Sequence, residues 1–274
     1  MSKKRSAFER IVAAPYLFWS LLFIIAPLVF VLYFALTDRN GNFTFENILS
    51  LSSYSHTFVM SLGFSLIVTV VCFLIGYPLA YCMARTAPRT RSILMVLLML
   101  PMWISLLIRT YSLMALLDNG GLVSNFLTRL GFEKLTFIGT DAAVILGMVY
   151  DFLPYMVLPI YTSMTKLDNR YIEAAADLGC NSTKTLFRVI FPLTVPGIVS
   201  GVTMVFVPSI STFYISQKLG GGSFDLIGDT IERQFKNAVT YHAGAAISLV
   251  MMILILISVA VMNKFSDGEG DMLV

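Results

Sequence analysis

The stretch Glu173-Ala174-Ala175-Ala176-Asp177-Leu178-Gly179 runs on to Pro192 through the polar turn Asn181-Ser182-Thr183. It is a soluble, helix-forming island in a chain that is otherwise almost all apolar. Asp168 and Asn169, just before it, are side chains suited to capping a helix N-terminus. Arg170 to Leu178 favours helix, and Gly179 suits the left-handed position that ends one. Tyr171, Ala174, Ala175 and Leu178 recur at helical spacing and predict one face. Ile172, Ala175, Ala176 and Gly179 predict an adjacent face of small side chains, which another surface can approach closely. Asn181-Ser182-Thr183 then breaks the helix and caps a new one from Lys184. A helix this short is marginal alone in water, so it needs packing from its own bundle or from a partner.

The surrounding chain is apolar enough to be a membrane protein. Of its 274 residues 57% are hydrophobic and 13% charged, about half the charge fraction of a soluble domain. Runs at 12–36, 59–83, 92–116, 142–164, 189–215 and 243–262 each reach the roughly 20 apolar residues that a spanning helix needs. They are continuous rather than alternating, which predicts an all-α, polytopic transmembrane helical bundle of about six spans and not a β-barrel. The whole of 1–274 reads as one transmembrane domain, with 165–188 as the loop that holds this island. The first apolar run follows Lys3, Lys4, Arg5 and Arg10 and extends to Leu36, too far for a signal peptide. It reads as a retained span.

Basic residues set the orientation. With the N-terminus inside, twelve of the 19 Lys and Arg residues fall on that side, six on the other, and Arg109 lies within a span. Both termini and the 85–91 and 165–188 loops are therefore expected in the cytoplasm. The net charge of +3 is a cytoplasmic excess that suits an anionic inner leaflet and gives no sign of nucleic acid.

Two charges fall within spans, Arg109 in the third and Asp151 in the fourth. Such charges are costly in lipid and are functional candidates by default. Their depths suit an ion pair that fixes helix register; alternatively Asp151 faces a substrate path and attracts a cation. Trp103, Tyr111 and Tyr214 lie in spans or at their outer ends, where ring faces can hold an ammonium group or simply anchor the helix at the interface. Pro27, Pro78, Pro101, Pro154, Pro159, Pro192, Pro196 and Pro208 interrupt the apolar runs, as in bent or cavity-lining helices. The segment 218–242 places Phe224, Ile227, Ile231 and Phe235 at roughly helical spacing among Asp225, Asp229 and Glu232. An amphipathic helix on the outer face follows, capping a path, meeting a binding protein or resting on lipid.

Several chemistries lack their residues. Cys72, Cys82 and Cys180 have no metal-ligand or disulfide spacing. His56 and His242 have no Gly-x-Ser-Gly partner, since Gly63-Phe64-Ser65 is followed by Leu66, which argues against an intramembrane serine protease. There is no internal repeat, as many secondary transporters would carry. No GxxxxGK[ST] sequence is present, so any ATP-driven function needs a separate ATPase.

The spacing Glu173-Ala174-Ala175, Gly179, Val189, Phe191, Pro192 resembles the EAA loop of ABC-importer inner-membrane permeases, with Val and Phe where the family prefers Ile and Leu. The strings LIRTYSL (107–113), VYDFLPYMVLPIYTSMTKLD (149–168), FPLTVPGI (191–198) and FYISQKLGGG (213–222) are similar to permeases of the spermidine/putrescine type, best the first, PotB-like permease of such systems. The resemblance implies a type I ABC-importer permease fold with 165–188 holding a cytoplasmic coupling helix. Glu173, Ala174, Ala175, Asp177, Leu178 and Gly179 would dock into the ATPase. It also implies a substrate path containing Trp103, Tyr111 and Leu113, joined here by Asp151 and Tyr214, with Arg109 as a structural intramembrane charge. The implied protein is a non-enzymatic, multi-pass permease in a prokaryotic cell membrane that passes polyamines inward. Its implied partners are a cytoplasmic ATPase dimer carrying ATP and Mg, a second permease, an extracytoplasmic substrate-binding protein and membrane lipid. No cofactor or metal is expected on this chain. A related permease for an amino acid, another cation or an anion is the alternative.

Overall fold

The computed structural model describes residues 15–38, 40–131, 136–222, 225–237 and 239–270, with the side chains of Leu127 and of residues 265–270 left aside. The N-terminal basic cluster, the start of the first span at 12–14, and Phe224 lie outside the described residues. Secondary structure is helical, apart from a single bridge between Thr37 and Phe43 among the described residues. Among the described residues, five helices are long and apolar enough to cross a membrane, and one bent pair makes a sixth if counted as a single span.

Among the described residues, the helices of six residues or more are α1 (Pro15–Ala35), α2 (Ser55–Arg85), α3 (Pro88–Met99), α4 (Leu106–Leu117), α5 (Leu122–Arg129), α6 (Asp141–Thr165), α7 (Asn169–Asp177), α8 (Ser182–Ser211), α9 (Tyr214–Leu219), α10 (Ile227–Lys236) and α11 (Tyr241–Lys264). They form two units. One holds the residues up to Ser55 with Thr230–Leu254, and the other His56–Asp229 with the residues from Ile255 onward.

In the first unit the apolar window of α1 has no buried residue, as suits a helix facing lipid or another protein. The end of α1 meets the start of α11 through rings. Phe34 stands edge-on to Tyr241 at 5.0 Å, and His242 Nδ1 lies 3.0 Å from the Phe34 carbonyl oxygen. His242 thus serves a helix end, where carbonyls lack intrahelical partners.

The second unit is built around α6. Small residues on its neighbours and on α6 itself let backbones come close. A Cβ on Gly197 would lie 2.5 Å from Ser163 Cβ and 2.8 Å from the Pro159 carbonyl oxygen, and one on Gly201 would lie 3.0 Å from the Met156 carbonyl oxygen. Gly197 and Gly201 are the two glycines of a Gly-x-x-x-Gly step on α8. On α2, Gly76 faces Met156 and Val157; on α6, Gly147 receives Leu219 and Ile215 of α9. Val144, Met148, Met156, Val157 and Ile160 are consequently fully buried.

Prolines shape the spans in two ways. Turns of π-helix occupy Leu21–Ile25 and Leu186–Ile190, each ending two residues before a proline, Pro27 and Pro192. Proline removes one helical hydrogen bond and crowds the carbonyl four residues back, and a wider turn relieves both. The expected continuous third span, 92–116, is broken instead. A 3₁₀ turn at Leu100–Trp103 contains Pro101, Ile104 and Ser105 are extended at ψ 137° and 138°, and the helices on either side meet at 96°. Broken helices of this kind are tolerated at membrane depth only where protein or a cavity shelters the freed backbone. The fifth span, helix α8, also differs from the expected 189–215. It begins at Ser182 and ends at Ser211, where Thr212 turns extended at ψ 141°, which leaves Tyr214 on the separate helix α9.

Candidate functional site

The elbow α7 is held by local chemistry. The Asp168 carboxylate accepts from the Arg170 N–H at 3.0 Å, and the Asn181 side chain accepts from the Lys184 N–H at 2.8 Å, so both caps stand where the sequence places them. The far end closes as a Schellman motif. Gly179 N–H donates to the Ala176 carbonyl at 2.9 Å and Cys180 N–H to that of Ala175 at 3.0 Å, with Gly179 at φ +78°.

The packing of α7 differs from the expected grouping of Tyr171, Ala174, Ala175 and Leu178 on one face. Ala175 is buried and Ile172 half-buried against the chain's own helices. Tyr171, Glu173, Ala174, Ala176 and Asp177 are exposed, and Leu178 is 85% exposed. The helix is rotated so that its apolar residues divide, two inward and the rest outward. Leu178 and the 56% exposed Tyr171 beside an alanine run form a surface left open among the described residues. Beyond the elbow, Phe191 packs against Phe73 and Tyr77 of α2, with ring centroids 6.4 and 5.5 Å away.

The two intramembrane charges meet. Arg109 Nη1 on α4 lies 2.9 Å from Asp151 Oδ1 on α6. The residues are 7% and 2% exposed. The contact is a close ion pair rather than a well-aligned hydrogen bond, since Oδ1 and Nη1 satisfy no hydrogen-bond geometry.

Tyr111 of α4 and Tyr214 of α9 also meet, edge to face with centroids 6.1 Å apart. The ammonium of Lys218, one turn beyond Tyr214, sits 5.3 Å from the Tyr111 centroid and 5.8 Å from that of Tyr214. The rings hold a cation, as their chemistry allows, and that cation belongs to the chain. Sequence reading missed Lys218, although its i, i+4 spacing from Tyr214 was a signal. Leu113 packs into the core beside Gly147, and Trp103 stands at the bend of the broken span, 77% exposed.

Asp229, expected on the polar face of a surface helix, points inward instead and is 3% exposed. Its carboxylate accepts from the Ser216 hydroxyl at 2.7 Å and from the Leu226 N–H at 2.8 Å. The second bond reaches back to the residue preceding α10, as in a capping box. Burial pushes the Asp229 carboxyl up to about 6, with Ser216 and the Leu226 N–H pulling against it.

A family model described as "Binding-protein-dependent transport system inner membrane component" matches residues 73–268. The chain belongs to this family. It is a multi-pass membrane permease component of such a transport system. The permease is 37% identical over 257 residues to the spermidine/putrescine transport system permease protein PotB of Haemophilus influenzae, covering 90% of each chain. It is 37% identical over 245 residues to PotB of Escherichia coli strain K12, covering 86% of this chain and 89% of the relative. In structure, the permease resembles a chain of a bacterial ABC transporter that imports the acidic polysaccharide alginate, with a TM-score of 0.78, 18% identity and 96% of each chain covered. At that identity the likeness establishes the fold of ABC-importer permeases and nothing about substrate.

Proposed function

We propose that this permease is the first of two in an ATP-driven importer of polyamines, spermidine or putrescine. The observation that carries the reading is the 37% identity to spermidine/putrescine permeases over nine-tenths of both chains. The outward face of α7 supports it. In this reading Glu173, Ala174, Ala175, Asp177, Leu178 and Gly179 dock in a cytoplasmic ATPase dimer that carries ATP and Mg, and both termini lie on that side. A substrate-binding protein delivers solute to the opposite face, and a second permease completes the path. Closure of the ATPases pushes α7 and reorients the bundle, and hydrolysis reverses the motion. The chain itself contributes no catalytic residue and binds no cofactor; its work is coupling and half of the path lining, where Trp103, Tyr111, Leu113 and Tyr214 belong. Asp151, paired with Arg109, serves the helix packing.

One observation favours a different solute. Lys218 on the Tyr111–Tyr214 pair places a positive charge on the proposed path, which on charge alone suits a neutral or anionic substrate. Reconstitution with the partner subunits decides between the readings. ATP hydrolysis and uptake are measured with spermidine, putrescine, an amino acid and sulfate. Stimulation by a polyamine alone supports the proposal, and stimulation only by the others overturns it.

A further inference from the structure

A cleft of about 430 Å³ lies where α2 ends, α3 begins, α6 ends and α7 starts, and polar groups make most of its wall. Two guanidinium groups, those of Arg85 and Arg91, line it, and no carboxylate among the described residues does. Arg91 is held in place. Its Nη2 donates to the Ala84 carbonyl at 2.7 Å, one of the carbonyls that the end of α2 leaves without helical partners. Arg85 rests on the Tyr81 ring at 5.4 Å. Thr165 and Asn169 add polar atoms, while Met164, Ile172 and Ile190 form an apolar side.

We propose that this cleft binds a phosphate group, namely the headgroup of an anionic phospholipid. Two guanidiniums, that of Arg91 anchored by a backbone carbonyl and that of the exposed Arg85 resting on a ring, suit a phosphate's several acceptor oxygens. Basic pockets among span ends are where anionic headgroups are held. The cleft sits where the apolar helices α2 and α6 end, as a span end next to a headgroup layer would, and its apolar side suits the first methylenes of a lipid better than a free ion. Because Asn169 opens α7, a headgroup there bridges the end of α2 to the elbow. The inference rests on the cleft and not on the transported solute, so it stands or fails separately from the polyamine reading.

The test uses the assembled transporter in vesicles of equal parts phosphatidylglycerol and phosphatidylcholine. Native mass spectrometry after release reads the lipid that is retained. Wild type is expected to keep phosphatidylglycerol several-fold over phosphatidylcholine. Arg91→Gln lowers that excess about tenfold, the size of one lost charge-assisted hydrogen bond. Arg85→Gln, which touches no backbone carbonyl in the structure and so leaves the fold intact, lowers it several-fold. Arg89→Gln, an equal charge change away from the cleft, leaves it unaltered. Added inorganic phosphate that displaces the lipid assigns the site to phosphate from either source, and lipid that resists it assigns the headgroup. Equal retention of the two lipids, or an equal loss in Arg89→Gln, overturns the proposal. So does retention that appears only when the ATPase is absent, which would give the cleft to a side chain of that partner.

Discussion

Arg109 on α4 and Asp151 on α6 face each other across 2.9 Å with almost no exposure to solvent. Their charges are the only two that the sequence places deep within spans, and each makes the other tolerable. Removing one partner leaves an uncompensated buried charge, which typically costs about 3–5 kcal/mol, whereas replacing both with apolar groups is often neutral. Asp151→Leu and Arg109→Met are each expected to lower the unfolding temperature of the purified permease sharply. The double variant recovers most of that loss. Additive losses in the double variant would show that the pair is not a coupled unit.

Gly179 stands at φ +78° with open space around it, so a larger side chain there meets backbone strain and no steric wall in this chain. Left-handed backbone costs other residues about 1–2 kcal/mol, with asparagine least affected. Gly179→Val is expected to loosen the end of α7, reducing co-purification of the ATPase and uptake while membrane insertion stays normal. Gly179→Asn retains more of both. Full uptake by the valine variant would count against α7 as the coupling element.

Lys218 occupies the ring faces of Tyr111 and Tyr214. If those rings belong to a cation path, a substrate ammonium competes with this lysine. Lys218→Gln is then expected to lower the half-saturating polyamine concentration by roughly two- to fivefold, in line with about 0.5–1 kcal/mol for a cation on an exposed ring. Lys218→Arg keeps the wild-type value. A higher half-saturating concentration in the glutamine variant would mean that the pair serves packing alone.

Gly197 leaves α8 no room for a Cβ against Ser163 and the Pro159 carbonyl. Because one obstacle is backbone, the neighbours cannot simply rotate away. Gly197→Ala is expected to destabilise by about 1–3 kcal/mol, as overpacking does. Gly63→Ala on α2, where nothing lies within 4 Å, is neutral or slightly stabilising, because alanine is the better helix former. Thermal unfolding of the two variants side by side makes the comparison, and equal midpoints would refute the close approach of α6 and α8.

Asp229 is buried, and its carboxyl is raised from 3.8 to about 6. The folded state therefore holds its proton more tightly than the unfolded state does. The stabilisation this gives is full below the unfolded value of 3.8 and is lost as pH rises through about 6. The neighbouring Asp225 carboxylate adds to the upward shift. Asp229→Asn keeps an acceptor for Ser216 and the Leu226 N–H and carries no charge. It is expected to flatten the fall in unfolding temperature across that window. An unchanged pH profile in the variant would show that Asp229 is not its source.

The amino-acid sequence by itself determined the features that a few neighbouring residues or the lipid decide. Asp168, Asn181 and Gly179 end and begin helices through bonds that reach at most five residues, so the elbow was legible from its spelling. The spans were legible because a backbone in hydrocarbon must satisfy itself as helix wherever apolar residues run long enough. Tertiary structure decided what depends on residues far apart in the chain. Hydropathy ran straight through 92–116, yet extended backbone at Ile104 and Ser105 breaks that helix. Periodicity grouped Tyr171 and Leu178 with Ala175, yet only contact with other helices selected Ile172 and Ala175 to turn inward. Asp229 read as a surface acid until Ser216 and the Leu226 N–H were brought to it. Pairings such as Lys218 with Tyr111, or Gly197 with Ser163, exist only once the helices are assembled, because packing between distant segments leaves no local pattern to read.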